Sequence, residues 1–242
     1  AATREEEFED RIKGLTYEEI ALKGGGILNS ARKLQQMSED ALYEDAKKRI
    51  EMLTSYGTGA VEIKSGYGLT VEAELKMLRV IKRLKNDLDV AIKATFLGAH
   101  AFPEAYKENH QGYIDLIINE MLPKIDAEQL ADYMDCFCER NYFSLDEMDA
   151  LLTAGKKYNL TPKVHVNQFS VMGGVDLAVK HGALSVDHLE EMDHTDIEAL
   201  KGSNCMPTLL PGCSFFLSIP YGKARELIKN DLPVALGSDF NP

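Results

Sequence analysis

The most constraining feature of this chain is an alternation. Short apolar runs, several of them β-branched, recur along it, and amphipathic helical stretches fill the intervals. The runs lie at 60–64, 90–97, 133–137, 162–166, 183–186, 205–209 and 233–236. A nearly continuous apolar run is what a strand buried on both faces of a parallel sheet requires. In the intervals, Val71, Leu75, Leu78 and Ile81 follow a capping Thr70, and Ile114, Ile117, Ile118 and Met121 form a second helical stripe. Ser144-Leu145-Asp146-Glu147 has the spacing of a capping box, and Lys180-His181-Gly182 reads as a helix end. Seven β-then-α units predict a (β/α)8 TIM-type barrel that lacks one strand; an open doubly wound sheet is the alternative. Gly24-Gly25-Gly26 follows no strand and lacks the spacing of a dinucleotide fingerprint.

The 242 residues suit one such domain, since a complete barrel of this kind uses about 250. Residues 1–38 are polar, acidic and strand-poor, and nothing helical follows Asp239-Phe240-Asn241-Pro242. The expectation is therefore a single barrel domain over 1–242, incomplete at both ends. The formal charge of -12 argues against a nucleic-acid or anionic-membrane surface, and no apolar run approaches the roughly 18 residues of a membrane span. Cys136, Cys138, Cys205 and Cys213 are too few for a disulfide scaffold in a chain this long, which favours reduced thiols and a cytoplasmic protein. Cys136 and Cys138 alternate across a strand, so their sulfurs face opposite ways and read as core. Cys213, in a loop after a strand, lacks a recognisable histidine partner for a nucleophile's role.

Barrel enzymes place their chemistry at the C-terminal ends of the strands. Here those ends carry Ser65-Gly66-Tyr67-Gly68, Gly98-Ala99-His100, His165 with Asn167-Gln168, Asp187-His188, and Ser238-Asp239. Three of the six histidines and one aspartate thus fall on one rim of the expected barrel. Imidazole and carboxylate suit zinc or iron(II), and water on such an ion loses its proton near neutral pH. Of Asp187 and His188, adjacent positions in a strand, one points inward, and His188 is the expected one. His110, His181 and His194 stand at helix termini and read as solvated or dipole-stabilised.

Several segments together resemble the imidazolonepropionases of the amidohydrolase superfamily. They are Lys64-Ser65-Gly66-Tyr67-Gly68-Leu69, Thr95-Phe96-Leu97-Gly98-Ala99-His100-Ala101, Val164-His165-Val166-Asn167-Gln168, Ser185-Val186-Asp187-His188-Leu189, Leu209-Leu210-Pro211-Gly212 and Gly237-Ser238-Asp239-Phe240-Asn241-Pro242. The likeness covers nearly the whole chain. It implies a metallo-dependent hydrolase barrel with one divalent ion, zinc or iron, held by a first-strand His-x-His pair, a fifth-strand histidine and an eighth-strand aspartate. His165 and Asp239 match the last two; the His-x-His pair is expected upstream of residue 1, as is part of a small β-sandwich domain. The resemblance gives Arg4, Tyr67, His100, Gln168 and Asn241 to substrate contact. The implied reaction is hydrolytic opening of 4-imidazolone-5-propanoate to N-formimidoyl-L-glutamate in histidine degradation, with Asp239 and His188 as the proton-handling and carbonyl-polarising groups. A homodimer with a small-molecule substrate is the expected assembly.

Overall fold

In the computed structural model, residues 5–15, 19 and 26–240 are described. The chain divides into two compact units, residues 1–133 and 134–241. In the first, helices α1 (Glu5–Ile12), α2 (Ile27–Gln36) and α3 (Glu39–Ser55) precede strand β1 (Ala60–Lys64), helix α4 (Val71–Asp87) and strand β2 (Ala91–Ala99). Helices α5 (His110–Leu116) and α6 (Leu122–Glu128) close this unit. β1 and β2 are parallel, with Ala60 opposite Ala91 and Lys64 opposite Thr95.

The second unit continues the alternation: β3 (Tyr133–Cys138), α7 (Leu145–Lys156), β4 (Thr161–Val166), α8 (Gly174–Lys180), β5 (Ser185–His188), α9 (His194–Leu200), β6 (Met206–Leu209), α10 (Pro211–Leu217), α11 (Ala224–Lys229) and β7 (Ala235–Leu236). Its strands neighbour one another in chain order. The ladders from β4 through β7 are parallel, with His165 opposite Asp187 and Val166 opposite His188. All seven expected runs are strands, shifted by no more than two residues at either end. β1 departs from expectation in its surroundings, because none of its residues is buried; Glu62 and Lys64 pair with each other at 2.8 Å, and Glu62 also accepts from the Thr95 hydroxyl of β2. An open doubly wound sheet would scramble the strand order, and neither unit does so.

The helix signals act as their chemistry requires. The Thr70 hydroxyl accepts from the Ala73 N–H, and Ser144 and Glu147 cap each other reciprocally. α8 ends at His181, and Gly182 follows with a φ of 72°. The stripe from Ile114 to Met121 is not one α-helix, because residues Ile117–Met121 form a π-turn between α5 and α6. Pro123, two residues on, has no N–H for the carbonyl of Asn119 and crowds it; the wider turn relieves the clash. Leu78, Phe96, Tyr113 and Ile117 fill the core of the first unit, and Phe143, Leu151, Val164 and Val186 that of the second. Burying one such side chain contributes about 1.5–3 kcal/mol. Among the described residues no helix is long and apolar enough to cross a membrane.

Candidate metal centre

The second unit gathers its polar groups where β3, β4 and β5 end. Asp135, His165, Asn167, Asp187, His188 and Glu190 are all buried there. The Asp135 carboxylate grips His165 twice: Oδ1 accepts from its backbone N–H at 3.0 Å, and Oδ2 lies 2.8 Å from Nδ1. A fully buried carboxylate is an acceptor, so Nδ1 carries the proton and Nε2 becomes the nitrogen a cation would take. Asp187, fixed by the Ser185 hydroxyl at 2.8 Å, completes a group with Asp135 and His165 whose ligand atoms lie within 4.8 Å of one another. An imidazole oriented by an outer carboxylate, with a second carboxylate alongside, is a donor set that fits zinc or iron(II).

Asp187 and His188 both belong here, contrary to the expectation that one faces inward. His188 has a φ of 86° and leaves the extended conformation, so strand alternation does not apply to it. Its ring centroid lies 5.1 Å from that of His165. Its Nδ1 is 3.3 Å from Glu190 Oε2, yet neither atom makes a hydrogen bond, although both are buried. Glu190 Oε1 accepts from the Ser214 hydroxyl at 3.1 Å. His188, Glu190 and Cys213 form a second group of ligand atoms within 4.8 Å. Gln168 is buried and donates through Nε2 to Cys213 Sγ at 3.3 Å. Burial first, then the charges of Asp239 and Glu190, push the Cys213 thiol far above its usual range, which removes a thiolate nucleophile at neutral pH.

Asp239 is exposed, with a φ of 44°, and it stands beside Cys213 rather than in either ligand group. Tyr67 and His100 meet in the first unit: their rings are edge-on at 5.0 Å, and His100 Nδ1 is 3.1 Å from the Gly66 carbonyl. Arg4 and Asn241 lie outside the described residues. Cys136 and Cys138 are core, and His110, His181 and His194 stand at helix ends, as expected.

Sequence reasoning missed the carboxylates that hold the rim loops. In the first unit the wholly buried Glu74 accepts from the N–H groups of Gly66 (3.0 Å), Gly68 (2.7 Å) and Leu69 (2.9 Å), shaping the turn that presents Tyr67. A Cβ at Gly68 would come within 2.5 Å of the Glu74 backbone, so only glycine fits. In the second unit Glu139 accepts from the backbone of Phe169 (2.9 Å) and Ser170 (3.2 Å) and from the Ser170 hydroxyl, fixing the loop of Gln168. The available signal was a lone carboxylate inside an apolar strand, as Asp135 is in β3.

No protein-family model matches the chain. Among solved structures it is similar to a guanine deaminase from C. acetobutylicum with bound guanine, at a TM-score of 0.64 and 17% identity over 87% of this chain and 52% of that one. A variant of the atrazine chlorohydrolase TrzN from Arthrobacter aurescens, complexed with zinc and atraton, aligns at a TM-score of 0.67 and 14% identity, over 93% of this chain and 55% of that one. The fold is thus of the parallel (β/α) barrel type. Imidazolonepropionases from Flavobacterium psychrophilum and Flavobacterium johnsoniae are each 62% identical across all 242 residues, and one from Thermoanaerobacter pseudethanolicus is 44% identical over 240. Over its whole length the chain is thus similar in sequence to imidazolonepropionases. It spans 59% of the length of the two Flavobacterium relatives.

Proposed function

We propose that this chain carries part of the hydrolytic site of an enzyme that opens the cyclic amide of 4-imidazolone-5-propanoate, giving N-formimidoyl-L-glutamate. The observation that carries this reading is the His165 imidazole, locked by the buried Asp135 fork and flanked by Asp187 and His188. His165 and Asp239 are assigned as ligands to one divalent ion, zinc or iron. When bound, the ion supplies a Lewis acid that activates water for attack on the ring carbonyl carbon. Asp239 accepts a proton from the attacking water and returns one to the departing ring nitrogen as the C–N bond breaks. The His188 ring donates a hydrogen bond to the carbonyl oxygen as negative charge develops there. Gln168 is an amide and cannot act as a base; with His100 it holds the ring. Arg4 and Tyr67 take the propionate carboxylate, and Asn241 contacts the same ligand. We assign the enzyme to histidine degradation in the cytoplasm, as a homodimer.

The test is loss of imidazolonepropionate, followed by its ultraviolet absorbance, with the full-length protein. Metal-dependent turnover that vanishes in His165→Ala is the expected result. If the folded, metal-loaded protein leaves imidazolonepropionate untouched while hydrolysing another cyclic amide or deaminating an amino-heterocycle, the substrate assignment fails.

A further inference from the structure

Of the group formed by His188, Glu190 and Cys213, only His188 has a part in the proposed reaction; Glu190 and Cys213 have none. Its three ligand atoms lie within 4.8 Å of one another, and the three residues are 3%, 3% and 8% exposed. Two polar atoms in it, His188 Nδ1 and Glu190 Oε2, are buried 3.3 Å apart, yet make no hydrogen bond. Leaving such atoms unpaired costs about 1–3 kcal/mol each, so native proteins keep them where something else occupies the gap. The second oxygen of Glu190 is anchored by Ser214, so the carboxylate cannot swing away to water without losing that bond. Cys213 Sγ accepts a long contact from Gln168 at 3.3 Å, and its thiol is hydrogen-bonded to the Asp239 carboxylate, which leaves sulfur lone pairs for a ligand bond.

We propose that His188, Glu190 and Cys213 form a further divalent-cation site, adjoining the one built on His165, that takes Zn2+ and inhibits the enzyme when filled. One imidazole nitrogen, one carboxylate oxygen and one sulfur make a borderline-soft set, which selects zinc or cobalt over magnesium or calcium. Binding forms an S–metal bond and releases the Cys213 thiol proton to solvent. Occupancy engages His188, the group assigned to the carbonyl oxygen, and this is the origin of the inhibition.

The site is read directly by titrating metal-free full-length protein with Co2+. A thiolate-to-cobalt charge-transfer band in the near ultraviolet reports Cys213, because Cys136, Cys138 and Cys205 belong to neither ligand group. The expected result is a band that saturates with cobalt, is absent in Cys213→Ser, and requires higher cobalt in Glu190→Gln by at least about tenfold. The Glu190→Gln arm retains the thiol and keeps the test decisive if Cys213→Ser fails to fold. Cobalt bound with no thiolate band, or a band that persists in folded Cys213→Ser, overturns the site. The spectrum needs no substrate, so its outcome is independent of the proposed reaction. A band accompanied by undiminished turnover overturns the inhibition, and with it the role given to His188.

Discussion

Replacing Glu74 with glutamine isolates what one buried carboxylate does for the rim loop after β1. Glu74 is fully buried, and its two oxygens serve three backbone donors, Gly66, Gly68 and Leu69, at 2.7–3.0 Å. Glutamine keeps a single carbonyl oxygen. Placed where Oε1 lies, it still serves Gly68 and Leu69, now without the charge. Its amide group then faces the Gly66 N–H, so donor meets donor. The lost charge-assisted bond is worth about 1.5–3 kcal/mol, and an unpaired buried donor costs about 1–3 kcal/mol more. The loop cannot relax freely, because a Cβ at Gly66 would already lie 2.7 Å from the Leu97 carbonyl and Gly68 is packed on α4. The expected loss is about 3–5 kcal/mol, a large share of a typical domain stability of about 5–15 kcal/mol. Urea unfolding reads this as a midpoint lower by more than about 1 M at an unchanged slope of roughly 3 kcal/mol per M. Exposed Glu72→Gln on the same helix should change stability by less than about 0.5 kcal/mol. If Glu74→Gln behaves like Glu72→Gln, the carboxylate is not what shapes the loop.

Three further outcomes follow from the same contacts. Asp135→Asn, which weakens the grip on His165, should lower metal affinity by about 10- to 100-fold in competition with a chelator while leaving the fold intact. Asp132 gives a pH signature. Burial raises its carboxyl pKa, but the Ala94 N–H, the Lys93 ammonium and the charge of Lys85 outweigh this and hold it below the usual range. Its contribution to stability is therefore full above an unfolded value of about pH 4 and is lost as pH falls through the lower folded value. Chemical denaturation across pH 2–6 should show this loss, and Asp132→Asn should flatten it. The thiols give the last. Burial pushes Cys205 up to about 11 and Cys138 to about 12, with Cys136 and Cys213 also raised. At pH 8 about one Cys205 in a thousand is thiolate, so alkylation of the native protein should be slow and should become fast on unfolding.

The positions of the strands were legible because period and composition are local properties. The runs at 60–64 and 162–166 became β1 and β4 almost unchanged. The caps at Thr70 and Ser144 were legible for the same reason, since each acts within one turn. His165 could be picked out as an imidazole at the end of an apolar run. Its Asp135 partner could not be paired with it from sequence, because 30 residues separate them and only the parallel strands bring them together. His188 shows how a sound rule misleads. Alternation presumes extended backbone, and a φ of 86° at the last strand residue cancels it. Asp239 ends a run in the sequence but is exposed in the structure, outside the ligand group around His165.

Part of the acidic composition is internal architecture. Glu74, Asp135, Glu139, Glu190 and Asp196 are each at most 3% exposed. Four of the five accept from backbone N–H groups of a loop or strand end, and Glu190 holds a serine hydroxyl and faces a histidine. The loops at strand ends leave N–H groups that neither a helix nor a ladder can satisfy, and one carboxylate can satisfy two or three of them. A hydroxyl or amide would serve fewer and would bring donors of its own. Burial still exacts its cost: it raises the carboxyl pKa of Asp196 against the help of its donors. Such anchors are worth that cost where a loop must hold side chains such as Tyr67 or Gln168 in one place. The same negative residues keep cations attractive at the strand ends, which suits the proposed divalent-ion site and ties loop geometry to its electrostatics.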